Sequence, residues 1–376
     1  DDIATELTVN LDHPLLGGRL YSGRLLLMGP NSRRDVIHIL DNRVAEIEWE
    51  GLLEQVCLLS RERYRRGEPP VDLSTVNFSE QPRFLLAPFV VQNGISIPYG
   101  DGGTAKSLLA LKWCVELALQ GVRSLYLDWE DDAETHAERL AALSCGLDAV
   151  VPENMIYYQR RSVPLVTSVR EVRRFLAEHT IVHVVIDSAG MAAGDPNDHG
   201  LMIECVRAAR SLGVAVTLVH HLPKDARDKT KPFGSVYASN EARITWLVEK
   251  AQEEESDELA IALTNFKFNR GRLQGRRAYK VQFINDGELL LSIAFTETEI
   301  GQVSAFRGKL PQHRLILDVL KSNGWLKTSD IQTVLAVDGI EMTVNTIGVV
   351  LRRGTDKYFA RRGDAWAALA GEDIHV

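Results

Sequence analysis

The chain has 376 residues, 45% of them hydrophobic and 25% charged, with a formal net charge of −8. That length and balance predict a folded protein of two or three domains and exclude a disordered chain. The acidity excludes a surface that coats nucleic acid as a whole, so contact with nucleic acid has to use local basic patches. Four scattered cysteines, Cys57, Cys114, Cys145 and Cys205, form no Cys-x-x-Cys or Cys/His cluster. They speak against a zinc site or a disulfide framework and for reduced thiols in a cytoplasmic setting. No apolar run is long enough to span a membrane and no signal peptide is visible; the first residue, Asp1, points to a start that lies upstream.

Residues 1–78 read as a small α+β accessory module. Apolar stretches run over 7–11, 25–28 and 36–40, and a helix is predicted from Trp49 to Arg66, its last turn rich in arginine as suits a helix C-terminus. Gly67-Glu68-Pro69-Pro70 reads as a linker. No catalytic signature falls in this module.

Residues 79–300 alternate between apolar runs and helical patterns. Strands are expected at 94–98, 122–129, 155–159, 181–187 and 214–220, with helices at 106–120, 133–145, 168–179 and 198–212 between them. That alternation predicts an α/β fold with a mostly parallel sheet, helices on both faces, and ligand-binding loops at one strand edge. Beyond residue 234 the patterns at 244–249, 259–268, 279–284 and 289–295 read as antiparallel strands that extend the sheet. The acidic run Glu253, Glu254, Glu255, Asp257, Glu258 reads as a solvated loop.

The strongest chemical signal is the loop Gly100-Asp101-Gly102-Gly103-Thr104-Ala105-Lys106-Ser107, set between a predicted strand and a helix with Leu108, Leu111, Val115 and Leu119 at helical spacing. It is the phosphate-loop pattern Gly-x4-Gly-Lys-Ser/Thr with Ala105 in place of the last glycine. Glycines let backbone N–H groups converge on one phosphate, the helix start adds its positive dipole end, Lys106 would reach the β- and γ-phosphates, and Ser107 would ligate Mg²⁺. The expectation at Ala105 is an ordinary negative φ, which alanine tolerates. The alternative is a glycine-rich turn that merely caps a helix.

Three further strand ends carry polar groups. Leu125-Tyr126-Leu127-Asp128-Trp129-Glu130 ends in carboxylates: Glu130 could orient and deprotonate an attacking water, Asp128 is the second choice, and Asp131 and Asp132 suit a helix cap. Val184-Val185-Ile186-Asp187 is a Walker B pattern, whose Asp is associated with Mg²⁺. The strand at 214–219 runs into His220-His221, where a side chain could sense a γ-phosphate; the rival reading, a metal pair, lacks a nearby His or Cys to complete it.

In this order the loop, Glu130, Asp187-Ser188 and His220-His221 resemble the RecA-like ATPases, most closely the branch of RepA-type hexameric helicases and its phage and mobile-element relatives. Asp187-Ser188-Ala189-Gly190, Asp195-Pro196-Asn197-Asp198, His221 with Lys224, and Lys231-Pro232-Phe233-Gly234-Ser235 with Asn240 and Arg243 are similar to that branch. The resemblance covers about residues 80–290. It implies ATP and Mg²⁺ as cofactors, Glu130 as catalytic glutamate, Asp187 as the metal-associated acid and His221 as sensor. It also implies a homo-oligomeric ring or filament in which a neighbour's Lys267 or Arg270 reaches the γ-phosphate.

Six basic residues and no acid lie from Lys267 to Lys280, among them Arg272, Arg276 and Arg277; a second loop offers Lys224, Arg227, Lys229 and Lys231. In RecA-like rings the loops after the Asp187 and His221 strands face the central channel, where they grip a single strand by neutralising its phosphates. The alternative is a solvated basic loop.

After a linker expected at 301–309, residues 310–372 show helical patterns at 312–321, 329–335 and 343–352 and a hairpin near 357–362, the layout of a winged helix-turn-helix. From 306 to 364, ten Lys and Arg stand against six Asp and Glu. Arg352, Arg353, Lys357, Arg361 and Arg362 would flank the third helix and wing, and Thr343, Asn345 and Thr346 could reach bases; docking of a protein is the rival use. The reading is an ATP-hydrolysing, DNA-dependent motor, a helicase acting in replication or recombination. Its alternatives are a nucleotide-gated DNA-binding or loader protein without unwinding, and a degenerate fold that regulates through its winged helix.

Overall fold

The computed structural model describes residues 4–11, 18–66, 70–76, 83–222, 230, 232, 236–252, 256–303, 306, 310–337 and 339–369. The chain divides into two compact units, Asp1–Gln81 and Pro82–Val376.

In the first unit β1 (Ala4–Leu11) and β2 (Gly18–Leu26) form an antiparallel hairpin. Helix α1 (Pro30–Asp41) starts on a proline, whose missing N–H costs nothing at a helix start. Helix α2 (Trp49–Arg66) spans the predicted residues and buries Trp49, Leu53 and Cys57 at successive turns. These join Leu20, Leu25, Leu27, Val36 and Leu40 in one small core.

The second unit opens with a short antiparallel pair, β3 (Phe84–Leu86) and β4 (Val90–Val91). There follow β5 (Ile95–Gly100), α3 (Lys106–Leu119), β6 (Ser124–Asp128), α4 (Ala133–Gly146), β7 (Ile156–Arg160), α5 (Leu165–Glu178), β8 (His183–Asp187), α6 (Ala189–Ala193), α7 (His199–Ser211), β9 (Ala215–Leu218) and β10 (His220–His221). Then come α8 (Val236–Glu241), β11 (Ile244–Ala251), β12 (Glu258–Phe268), β13 (Arg277–Asp286) and β14 (Leu289–Thr298). Among the described residues the large sheet runs β14-β13-β12-β11-β5-β9-β8-β6-β7, and β10 also pairs with β5. From β11 to β7 neighbours are parallel; β11 to β14 are joined antiparallel. The predicted mostly parallel α/β sheet with an antiparallel extension is the observed fold.

Two details differ from expectation. β11 is not simply part of the antiparallel extension: it lies parallel to β5 on one side and antiparallel to β12 on the other. Helix α3 has no apolar stripe at Leu108, Leu111, Val115 and Leu119. It is buried on nearly every side, while Leu119 is 44% exposed.

Core residues fill both faces of the sheet. On one face Leu109, Trp113 and Val115 of α3 pack with Tyr126, Val185, Trp246 and Val248. On the other, Leu165, Val172, Met202 and Val206 pack with Tyr99, Leu125, Val184 and Leu218. This double cover explains why the central parallel strands read as largely apolar runs.

Within the segment expected as a linker at 301–309, two described residues are packed. Phe306 and Val303 are buried with Ala260 and Ala262 of β12. Helices then span Gln312–Asn323, Thr328–Val337 and Val344–Arg353, and short strands Leu326–Lys327, Phe359–Arg362 and Ala365–Ala368 pair antiparallel with the last in the middle. Leu315, Ile316, Ile331, Leu335, Ile347, Leu351, Phe359 and Trp366 form their own core.

Candidate active site

The carboxyl ends of β5, β6, β8 and β10 lie on one edge of the sheet and bring the loop 100–107, Glu130, Asp187 and His221 together. Glycine is demanded at two loop positions. A Cβ on Gly100 would run into the Val248 carbonyl of β11, so this close approach of two backbones needs hydrogen there. Gly103 has φ of +67°. Ala105 has φ 61° and ψ 27°, a left-handed conformation. The expected negative φ is therefore wrong: the missing glycine stood at a left-handed position that glycine favours, and alanine holds it at a cost of about 1–2 kcal/mol.

Lys106 is buried, and its ammonium sits inside the loop. It donates to the carbonyls of Gly100 (3.2 Å) and Asp101 (2.7 Å) and to Thr104 Oγ1 (3.3 Å). Thr104 Oγ1 in turn donates to the Asp101 carbonyl at 2.9 Å. Burial pulls the lysine below its ordinary pKa, while Asp187, Glu130 and Asp101 pull it back.

Asp187 is 3% exposed. Burial raises its pKa, and hydrogen bonds from Tyr126 and Ser107 oppose the rise. The Tyr126 hydroxyl donates to Asp187 Oδ2 at 2.5 Å. A serine hydroxyl against a buried carboxylate is a hard-oxygen pair of the kind that holds Mg²⁺ together with phosphate oxygens, so the residues fit the implied ion. Among the described residues no group of three or more His, Cys, Asp and Glu could hold a metal by itself.

The two carboxylates of the β6 end part company. Asp128 is 2% exposed and fully engaged: Oδ1 accepts from the amides of Glu130 (2.7 Å) and Asp131 (3.1 Å), and Oδ2 lies 2.6 Å from His136 Nε2. Burial would raise its pKa, but these bonds outweigh it and hold it low. Asp128 shapes the turn that presents Glu130, and is not placed as a base. Glu130 Oε1 accepts from Ser188 Oγ at 2.5 Å and lies 3.9 Å from His221 Nε2. His221 first, and then Ser188 against burial, hold Glu130 below the usual carboxylate range. Asp132 caps α4 by accepting from Thr135 N at 2.8 Å, as expected; Asp131 instead pairs with Arg139 at 2.8 Å.

His220 and His221 face opposite sides of the strand. His221 is half exposed beside Glu130. His220 is 2% exposed, and its Nδ1 accepts from the His221 amide at 2.9 Å. Burial lowers its pKa to about 4.

The two finger candidates also separate. Lys267 Nζ donates to the carbonyls of Ser239 (2.5 Å) and Asn240 (2.8 Å) at the end of α8 in its own chain. Arg270 is exposed, just beyond β12. Asn265 braces its loop, donating to the Thr245 and Lys267 carbonyls (2.8 and 2.9 Å) and accepting from Gln274 N (2.8 Å). Arg272 and Arg276 are exposed on this loop, whereas Arg277 is on β13 and pairs with Glu297 at 2.6 Å. Lys224, Arg227, Lys229 and Lys231 lie outside the described residues.

Arg352 and Arg353 are exposed at the end of the helix Val344–Arg353. Thr343 caps that helix by accepting from Thr346 N at 3.2 Å, and the two hydroxyls lie 2.9 Å apart. Both hydroxyls are engaged at the helix start, and Thr343 and Asn345 are exposed. Sequence reasoning missed Tyr126, Ser188 and His136 as site residues. Ser188 had a signal, since it follows the acid of the Walker B strand.

Residues 61–227, somewhat under half of the chain, match the family described as an AAA domain. No curated protein matches. Among solved structures, a KaiC-like protein from the hyperthermophilic archaeon Pyrococcus horikoshii is similar at 16% identity and a TM-score of 0.40, covering 55% of this chain and 90% of that one. The matched segment contains the loop 100–107, Glu130, Asp187 and His221.

Proposed function

We propose that this protein binds ATP with Mg²⁺ at the loop 100–107 and hydrolyses it as a DNA-dependent motor that assembles as a homo-oligomer. The observation that carries the reading is the convergence of Lys106, Ser107, Asp187 and the Ser188-braced Glu130 at one sheet edge. Loop amides and Lys106 would hold the phosphates, and Ser107 and Asp187 would hold Mg²⁺, which offsets phosphate charge when bound. Glu130, kept ionised by His221 and Ser188 and oriented by Ser188, would position a water and take its proton. His221 would report the γ-phosphate to Glu130, its neighbour in space.

Arg270 is the better finger because Lys267 is spent on its own chain's α8. DNA contact would use exposed Arg272 and Arg276, with Arg352 and Arg353 on a C-terminal winged helix; Arg277 is tied to Glu297. No described helix is long and apolar enough to cross a membrane.

ATP turnover measured with and without single-stranded DNA tests this: stimulated turnover supports it, and no turnover with no nucleotide binding sinks it. A second reading, a nucleotide-gated loader that does not unwind, is favoured by the strained Ala105. A strand-displacement assay separates the two.

A further inference from the structure

Strand β11 carries a row of side chains toward α3. Ile244, Trp246 and Val248 are buried in the core on that face, and the alternation of a strand places Lys250 next in the row. The row ends at the phosphate loop. The Val248 carbonyl abuts Gly100, and Lys250 Nζ stands 3.6 Å from where a Cβ on Gly103 would be. Lys250 is exposed, and among the described residues its ammonium makes no ion pair. The core below fixes the backbone of β11, so the ammonium is delivered to the loop by a rigid element.

We infer that Lys250 is a second, intramolecular phosphate-binding cation of this site, and that its ligand is the diphosphate portion of a nucleoside di- or triphosphate. Lys106 serves the loop from within, and Lys250 serves it from the neighbouring strand over Gly103. A glycine at 103 leaves that approach open, because no side chain stands between the ammonium and the loop backbone. The loop also contains a strained alanine at 105, and a second cation compensates in phosphate affinity. The inference rests on the nucleotide reading above and deepens it.

The test uses the full chain with Lys250→Met and Lys250→Arg, a fluorescent ADP analogue, and inorganic pyrophosphate as competitor. Loss of one charge-assisted contact weakens ADP about tenfold or more. Pyrophosphate is expected to lose the same factor in Lys250→Met, and Lys250→Arg to keep most of both affinities. Equal melting temperatures exclude a folding effect, as Lys250 is exposed. Binding of ADP by Lys250→Met as tight as wild type overturns the inference. So does weakened ADP with unchanged pyrophosphate, which would place the lysine on the nucleoside. Wild-type protein that binds neither probe overturns the nucleotide reading itself, and this inference with it.

Discussion

The Ser188 hydroxyl donates to Glu130 Oε1 at 2.5 Å, joining the residue after the Walker B acid to the carboxylate beyond the end of the neighbouring strand β6. That bond stabilises the ionised carboxylate and fixes its direction. Ser188→Ala is expected to lower kcat about tenfold with nucleotide KM unchanged, the size of one hydrogen bond to a charged group. Losing the donor raises the Glu130 pKa, so the acidic limb of the kcat/KM profile moves to higher pH. Glu130→Gln is expected to lower kcat about 10²-fold or more and to spare binding. An unchanged pH limb in Ser188→Ala would remove Ser188 from the mechanism.

Ala105 at φ 61° makes a second prediction. Ala105→Gly relieves the left-handed strain, partly offset by the greater freedom of glycine in the unfolded chain. The net expected gain is about 0.5–1 kcal/mol in a denaturant titration. The opposite change at Gly100, to alanine, drives a methyl group into the Val248 carbonyl and is expected to destabilise the loop strongly.

Arg270 and Lys267 are distinguished by mixing variants. Arg270→Ala is expected to lose turnover by about 10³-fold or more while binding nucleotide normally. Mixed with Lys106→Ala protein it should regain activity, since a site then combines an intact loop with a neighbour's arginine. Lys267→Ala loses only the cap on α8, about 1 kcal/mol of stability. Abolished turnover in Lys267→Ala with Arg270→Ala fully active reverses the assignment.

Two buried histidines contribute to the pH dependence of stability. Burial lowers His183 to about 3 and His220 to about 4, against an ordinary 6.5. Both folded-state values lie below the unfolded one, so the unfolded chain takes up protons first as pH falls. Their contribution is complete above about pH 7 and declines from there toward pH 4, by about 4 kcal/mol between about pH 7.5 and pH 5. His183→Gln is expected to halve that slope in denaturant titrations across this range.

Much of the fold and part of the site were legible in the sequence. The central parallel strands β6, β8 and β9 are buried and largely apolar because both faces are covered, and β6 and β8 end in Asp128 and Asp187 at the same edge. What escaped depends on partners distant in sequence. The direction of β11 relative to β5 is not written in its own residues, because the neighbour in sequence, β12, suggests only antiparallel pairing. Asp128 and Glu130 look interchangeable in the pattern, and burial against His136 separates them. The burial of α3 on nearly every side leaves it without one apolar stripe, and Val303 and Phe306 of the expected linker are buried against β12. Ala105 misled because alanine seldom occupies a left-handed conformation.

The most direct measurement is phosphate release from ATP by the wild-type chain beside Lys106→Ala and Glu130→Gln, with nucleotide binding followed in parallel. The expected result is turnover by wild type alone, weakened binding in Lys106→Ala and retained binding in Glu130→Gln. Full turnover in both variants, or nucleotide binding that ignores Lys106, would contradict the assignment of this edge as the catalytic site.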